Sequence, residues 1–319
     1  MMQFDRISLG RQSKEMGFVR DTFEKVCRLA DVLSFMESDP LLSDTLALKG
    51  GTAINLTIFN LPRLSVDIDM DYSKDVQRET MLMERTQIND HIQKYMVASG
   101  YKLSPKSKQY HAVDSFVYEY INAGGVKDNL KIEINYMLRC HVFPVSRRVV
   151  GVPWNNEKIT VLSVDPMEIF SAKAVALLNR SAARDLYDMY NLQKYGLFDE
   201  SQEIVFKKCI IFYLAVASEK IPEHFYFSGI DNISEKKIKT DLKPVLRGTE
   251  YFNLPTAQAK VKEYLKGILL PEDDLSFWKS FAKGEYKPEL LFNDTEILSR
   301  ITMHPMARWK CSNSIKSIK

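Results

Sequence analysis

Leu48-Lys49-Gly50-Gly51-Thr52-Ala53, then a short interval, then Arg63-Leu64-Ser65-Val66-Asp67-Ile68-Asp69, is the stretch that decides how this chain is read. From Leu64 to Met70 apolar and polar residues alternate, which predicts a strand with one polar face. Asp67 and Asp69 then point the same way, with Ser65 and Asp71 in line, while Val66, Ile68 and Met70 form the core face. Adjacent carboxylates repel, and a shared proton or a divalent cation relieves them. Oxygen ligands on a strand open to solvent suit Mg²⁺, which keeps waters and takes further ligands from substrate phosphates. Gly50-Gly51 stands at the head of a brief helical stretch, Thr52–Asn60. Glycine lets a phosphate approach the backbone, and a helix N-terminus offers unpaired N–H groups. A third carboxylate, Glu133 in Lys131-Ile132-Glu133-Ile134-Asn135, projects from the polar side of a later strand. Taken singly, an Asp-x-Asp is a solvated face and a Gly-Gly is a turn. Taken together, they outline a two-metal phosphoryl-transfer site with Asp67, Asp69 and Glu133 as metal ligands.

Around this stretch the hydrophobic period changes several times. Helical spacing runs from Ser13 to Ser38 and stops at Ser38-Asp39-Pro40, because proline disfavours helical geometry in the residue before it. Thr45–Leu48 reads as extended, Glu79–Ser99 as a helix, and Phe116–Ile121 and Leu130–Met137 as strands. At Asp165-Pro166-Met167-Glu168 an N-cap, a first-turn proline and a capping-box glutamate fall in register. That helix is expected to reach Arg180. A second should span Ala183 to Tyr195 and stop at Gly196. Glu203–Ser218, Thr256–Leu269 and Asp274–Lys283 read as further helices. The fold class expected is therefore α/β (α+β), with residues 1–163 a mixed domain carrying the site and 164–319 a mostly helical domain.

Composition narrows the function classes. Of 319 residues 45% are hydrophobic, too many for a disordered chain, and the length suggests two domains. With 44 Lys+Arg against 41 Asp+Glu, net charge neither demands nor excludes a polyanionic partner. The longest apolar run, Cys209 to Ala217, is too short to span a membrane, and the N-terminus lacks a signal-peptide pattern. A cytoplasmic location is expected. The four cysteines and five histidines (His224 among them) are scattered without ligand spacing. No G-x-x-x-x-G-K-[ST], G-x-S-x-G or H-E-x-x-H run occurs.

The Gly-Gly and Asp-x-Asp pattern resembles that of the nucleotidyltransferase superfamily, which includes DNA polymerase β and the aminoglycoside nucleotidyltransferases. More narrowly, the two quoted segments resemble the AbiEii/AbiGii toxin family. So do Ser171-Ala172-Lys173-Ala174, Arg180 and Arg184-Asp185-Leu186-Tyr187-Asp188, which are similar to that family's downstream lysine and "RDxxD" signature. The likeness covers roughly residues 15–195. It implies a polymerase-β-like nucleotidyltransferase domain, and a toxin of type IV toxin–antitoxin or abortive-infection systems with an antitoxin encoded nearby. It also implies Mg²⁺-dependent transfer of a nucleotide from an NTP, with the 3′ end of an RNA, tRNA, as acceptor. One departure is the third acid, Glu133, where aspartate is common.

On that resemblance the site lies in the cleft between the two domains. Gly50, Gly51, Thr52 and Ser65 hold the nucleotide, Asp67 and Asp69 bind the metals, and Glu133 completes the metal site and orients or deprotonates the acceptor hydroxyl. Lys173 neutralises the phosphates with Arg180, seven residues on and hence on the same helical face. Asp185 positions Lys173 or contacts the acceptor. Arg184 is placed to pair with Asp188, four residues on. Two rival readings share these residues: a small-molecule nucleotidyltransferase, and a catalytically silent binding module of the same fold. Lys236, Lys237, Lys239, Lys243 and Arg247, with Arg308, Lys310, Lys316 and Lys319 in the tail, are the candidate cations for holding RNA.

Overall fold

One mixed sheet of eight strands carries the acidic stretch: β1 (Leu46–Lys49), β2 (Asp67–Tyr72), β3 (Lys102–Leu103), β4 (Lys108–Gln109), β5 (Val113–Ile121), β6 (Lys127–Asn135), β7 (Ser146–Val150) and β8 (Ile159–Ser163). The order is β3-β5-β6-β2-β1-β8-β7, with β4 pairing β5. β2 is therefore central. It lies antiparallel to β1 and parallel to β6, while β1 and β8 are also parallel. The computed structural model describes residues 4–152, 158–217, 225–269 and 275–317, and among these no helix is long and apolar enough to cross a membrane. His224 and Lys319, and the side chain of Lys316, lie outside the described residues.

The chain divides into two units. The first comprises Met1–Arg139, Val145–Val164 and Pro244–Glu250. Its helices are α1 (Arg6–Met16), α2 (Arg20–Ser38), α3 (Pro40–Thr45), α4 (Gly50–Ala53, continued by a wider turn over Ile54–Ile58) and α5 (Arg78–Ala98). The single helix expected over Ser13–Ser38 is in fact two, because Gly17 adopts φ 76° and its N–H closes on the Lys14 carbonyl. Phe23, Val26, Leu29 and Leu33 of α2 and Ile68, Ile132 and Ile134 of the sheet are fully buried. The alternation read from the sequence holds over Asp67–Met70 and along β6, but β2 begins only at Asp67, Val66 is half-buried, and Ser65 and Asp71, expected on the polar face, are buried. Pro244–Glu250 returns to this unit: Leu246 bridges Arg63, and Leu64 N–H donates to the Val245 carbonyl at 2.8 Å.

The second unit comprises Cys140–Pro144, Asp165–Lys243 and Tyr251–Lys319 and is helical. α6 (Pro166–Asn179) contacts α7 (Ala183–Tyr195) and α8 (Glu200–Ala217). Asp165 caps α6 through the Met167 N–H at 2.8 Å, and Gly196 ends α7 with φ 56°. Glu168, expected to close a capping box, does something else. Its buried carboxylate accepts from the Phe143 N–H at 2.8 Å and from the Tyr213 hydroxyl, tying the 140–144 segment to α6 and α8. Burial opposes its ionisation, but these bonds and His141 hold its pKa below the usual glutamate value.

Candidate active site

The Gly-Gly turn is shaped by the side chains it touches. Gly50 has φ 68°, a left-handed conformation that L side chains rarely adopt. A Cβ there would stand 2.6 Å from Asp69 Oδ2. A Cβ on Gly51 would stand 2.8 Å from Arg63 Nη2 and 2.9 Å from Ser65 Oγ. Gly50 is thus favoured by its backbone conformation, and a Cβ on either glycine would make this chain's own acid, guanidinium or hydroxyl shift. Thr52 is fully buried, and its hydroxyl donates to the Asp67 carbonyl. Its side chain thus joins α4 to β2 rather than facing outward. Asn55 continues the link, donating to the Gly51 carbonyl at 2.7 Å and accepting from the Arg63 N–H at 3.3 Å.

The parallel register of β2 and β6 places Asp67 opposite Lys131 and Asp69 opposite Glu133. Asp67, Asp69 and Glu133 are each partly exposed, so the three acids chosen from the sequence share one face of two adjacent strands. Two lysines join them. Lys49, across the other edge of β2, pairs with Asp71 at 2.5 Å, and Lys131 pairs with Glu133 at 2.5 Å. Burial works against the Lys131 ammonium, yet Glu133, then Asp69 and Asp67, raise its pKa above the usual lysine value.

Among the described residues no three His, Cys, Asp or Glu side chains converge as a ready metal cage. Mg²⁺ does not need one, since it is commonly held by one or two carboxylates together with substrate phosphates. Asp67 and Asp69 offer two oxygen-donor groups at a spacing fixed by the strand. The missing Cβ of Gly50 leaves room for the Asp69 carboxylate. The residues present fit such an ion. Glu133, engaged by Lys131, is not grouped with them as a third ligand in the described arrangement.

The downstream residues make a separate cluster in the second unit. Lys173 Nζ lies 2.7 Å from Asp185 Oδ1 and 3.2 Å from Asp188 Oδ2. Arg180 Nε and Nη2 donate to Asp185 Oδ2 at 3.1 and 3.0 Å. Burial opposes ionisation of Asp185, but Lys173 and Arg180 outweigh it and hold its pKa below the usual aspartate value. Lys173 and Arg180 do not share the helical face expected of them. α6 ends at Asn179 and Arg180 is extended, so Asp185 brings the two cations together, not a shared helical face. Arg184 Nε donates to the Asp241 carbonyl at 2.7 Å, while Asp188 faces Lys173.

Of the cations proposed to hold RNA, Lys236, Lys239 and Lys243 are exposed. Lys237 donates to the Ser181 carbonyl at 2.6 Å. Arg247 donates to the carbonyls of Met16 and Leu61 and lies over the Phe18 ring. Those last two side chains hold the fold together. Two residues went unassigned in the sequence reading although they stand inside the quoted motifs. One is Arg63, 1% exposed and bonded to the Leu64 carbonyl at 2.8 Å beneath the glycine turn. The other is Lys131, whose place beside Glu133 follows from strand alternation but whose place opposite Asp67 needs the register.

Comparison with known proteins identifies the family of the chain. Residues 33–283 match the family model described as nucleotidyl transferase AbiEii toxin, type IV TA system. No curated protein matches significantly. Among solved structures, MenT4, a nucleotidyltransferase toxin from Mycobacterium tuberculosis H37Rv, superposes with a TM-score of 0.61 at 14% identity. The alignment covers 99% of this chain and 100% of that one. At that identity the likeness is one of fold.

Proposed function

The chain belongs to the AbiEii family of nucleotidyltransferase toxins, and from that premise we propose that it transfers a nucleotide from an NTP to the 3′ end of an RNA, with tRNA as the acceptor, in a Mg²⁺-dependent reaction. The observation that carries this reading is the pairing of Asp67 and Asp69 on one face of β2, with the Gly50-Gly51 turn closed against Asp69. Bound there, the metal would neutralise phosphate charge and lower the pKa of the attacking hydroxyl.

The remaining work falls to side chains. Asp67 and Asp69 fix the ion-binding edge of the strand. Gly50 and Gly51 present the N–H groups at the start of α4 to the triphosphate, and Ser65 supports that turn from beneath. Glu133 orients the acceptor hydroxyl and takes its proton as the new P–O bond forms at the α-phosphorus. The bond to the bridging oxygen breaks, and pyrophosphate leaves with the electron pair. In the second unit, Asp185 holds Lys173 and Arg180 in place. The partner expected from the family is an antitoxin.

The test is to incubate purified protein with each labelled NTP, Mg²⁺ and total RNA. Label at RNA 3′ ends, concentrated in the tRNA fraction, is expected. Label on a small hydroxylated molecule alone would replace the RNA acceptor, and absence of any transfer would point to a silent binding module.

A further inference from the structure

Resting on the reading that Asp67 and Asp69 hold a divalent ion, we propose that Lys131 is the internal counter-ion of this carboxylate cluster and sets how tightly the ion binds. Strand alternation puts Lys131 and Glu133 on one side of β6, and the parallel register puts Asp67 and Asp69 directly beside them. The ammonium is thus a positive charge built into the face where the ion would sit, and it lies 2.5 Å from Glu133.

Folding gives little reason for it to be there. Both partners are 38% exposed, and a pair that open to water contributes little stability. Lysine is also among the residues depleted in strands. Lys49 differs: it pairs with Asp71, the buried acid of the row, and serves the interior.

The ammonium satisfies part of the acids' charge in the metal-free protein and repels a divalent ion that enters. Coulomb's law puts the repulsion between a unit and a double charge some ~6 Å apart, in a water-like dielectric, at about tenfold in affinity. An ion arriving with the nucleotide's phosphates brings extra ligands and overcomes this opposition. An ion arriving alone binds about tenfold more weakly than it would without the lysine. Lys131 is therefore a positioning residue: it engages Glu133 until the metal and nucleotide are in place.

The experiment is Mn²⁺ binding to the full chain without nucleotide, followed by electron paramagnetic resonance of the free ion at low ionic strength. Wild type, Lys131→Gln, Lys131→Met, Lys131→Arg and Asp69→Asn are compared. About tenfold tighter binding is expected in Lys131→Gln and Lys131→Met, wild-type binding in Lys131→Arg, and loss in Asp69→Asn. Unchanged or weaker binding in both neutral variants, with Asp69→Asn still defective, would overturn the role of Lys131 alone. Undiminished binding in Asp69→Asn would overturn the underlying assignment of the metal site.

Discussion

Two charged clusters in this chain use the same residue types and balance them differently. On the face shared by β2 and β6, the carboxylates of Asp67, Asp69 and Glu133 stand together with the ammonium of Lys131 beside them. In the helical unit, Asp185 and Asp188 meet Lys173 and Arg180, two against two. The first cluster is partly exposed; the carboxylates of the second are buried. Like charges gathered on an open strand repel one another, and one Asp-to-Asn change lessens that repulsion. On the proposed reading this face is a place prepared for a cation. A balanced buried network fixes side chains against one another, and removing one member leaves a charge without its match.

This contrast can be broken most visibly in living cells. Unregulated expression of the wild-type chain should arrest growth, and Asp69→Asn at matched protein levels should not. Equal growth of the two strains would detach the acidic strand from toxicity. In the second cluster the large effect should instead be on stability. Lys173→Met leaves Asp185 and Asp188 with less positive charge in a buried place, and a loss of about 3 kcal/mol is expected in urea denaturation. A loss well under about 1 kcal/mol would mean that the network behaves like a surface pair.

Gly50→Ala tests the junction between turn and acid. The left-handed backbone and the approach to Asp69 should together cost about 1–2 kcal/mol and displace the carboxylate, so nucleotide transfer falls with stability. Full activity in this variant would show that the approach is dispensable.

The smallest effect is one of pH. Because the pKa of Asp185 is lowered in the folded state, its contribution is fully present above the ordinary aspartate value and is lost as pH falls through the lowered one. The stability gap between wild type and Asp185→Asn should accordingly be widest near neutrality and narrow below about pH 4. A gap that is constant with pH would remove the charge of Asp185 from its role.

What the sequence disclosed and what it hid follow from the range of the interactions. Alternation around Ile68, Ile132 and Ile134 is local, so the central strands were legible, as was the Gly196 stop of α7. β3, β4 and β7 are short or lie at the rim, with little alternation to betray them. The break at Gly17 was missed because it lies just before the periodic apolar run, which begins at Phe18. Glu168 was read as a local cap, yet its carboxylate serves Phe143 and Tyr213, far away in the chain. Likewise the motif glycines were legible as glycines, but their contacts with Asp69 and Arg63 depend on the folded turn. The gathering of Asp67, Asp69 and Glu133 with Lys131 required the register of β2 against β6 to be seen.

The central claim is that the acidic strand is kept for chemistry and not for folding. Nucleotide transfer and thermal melting, measured together on Asp69→Asn, test it most directly. The expected result is no detectable transfer with Mg²⁺ and the preferred NTP, and a melting temperature equal to or slightly above that of wild type. Near-normal transfer, or a melting temperature lowered by several degrees, would contradict it.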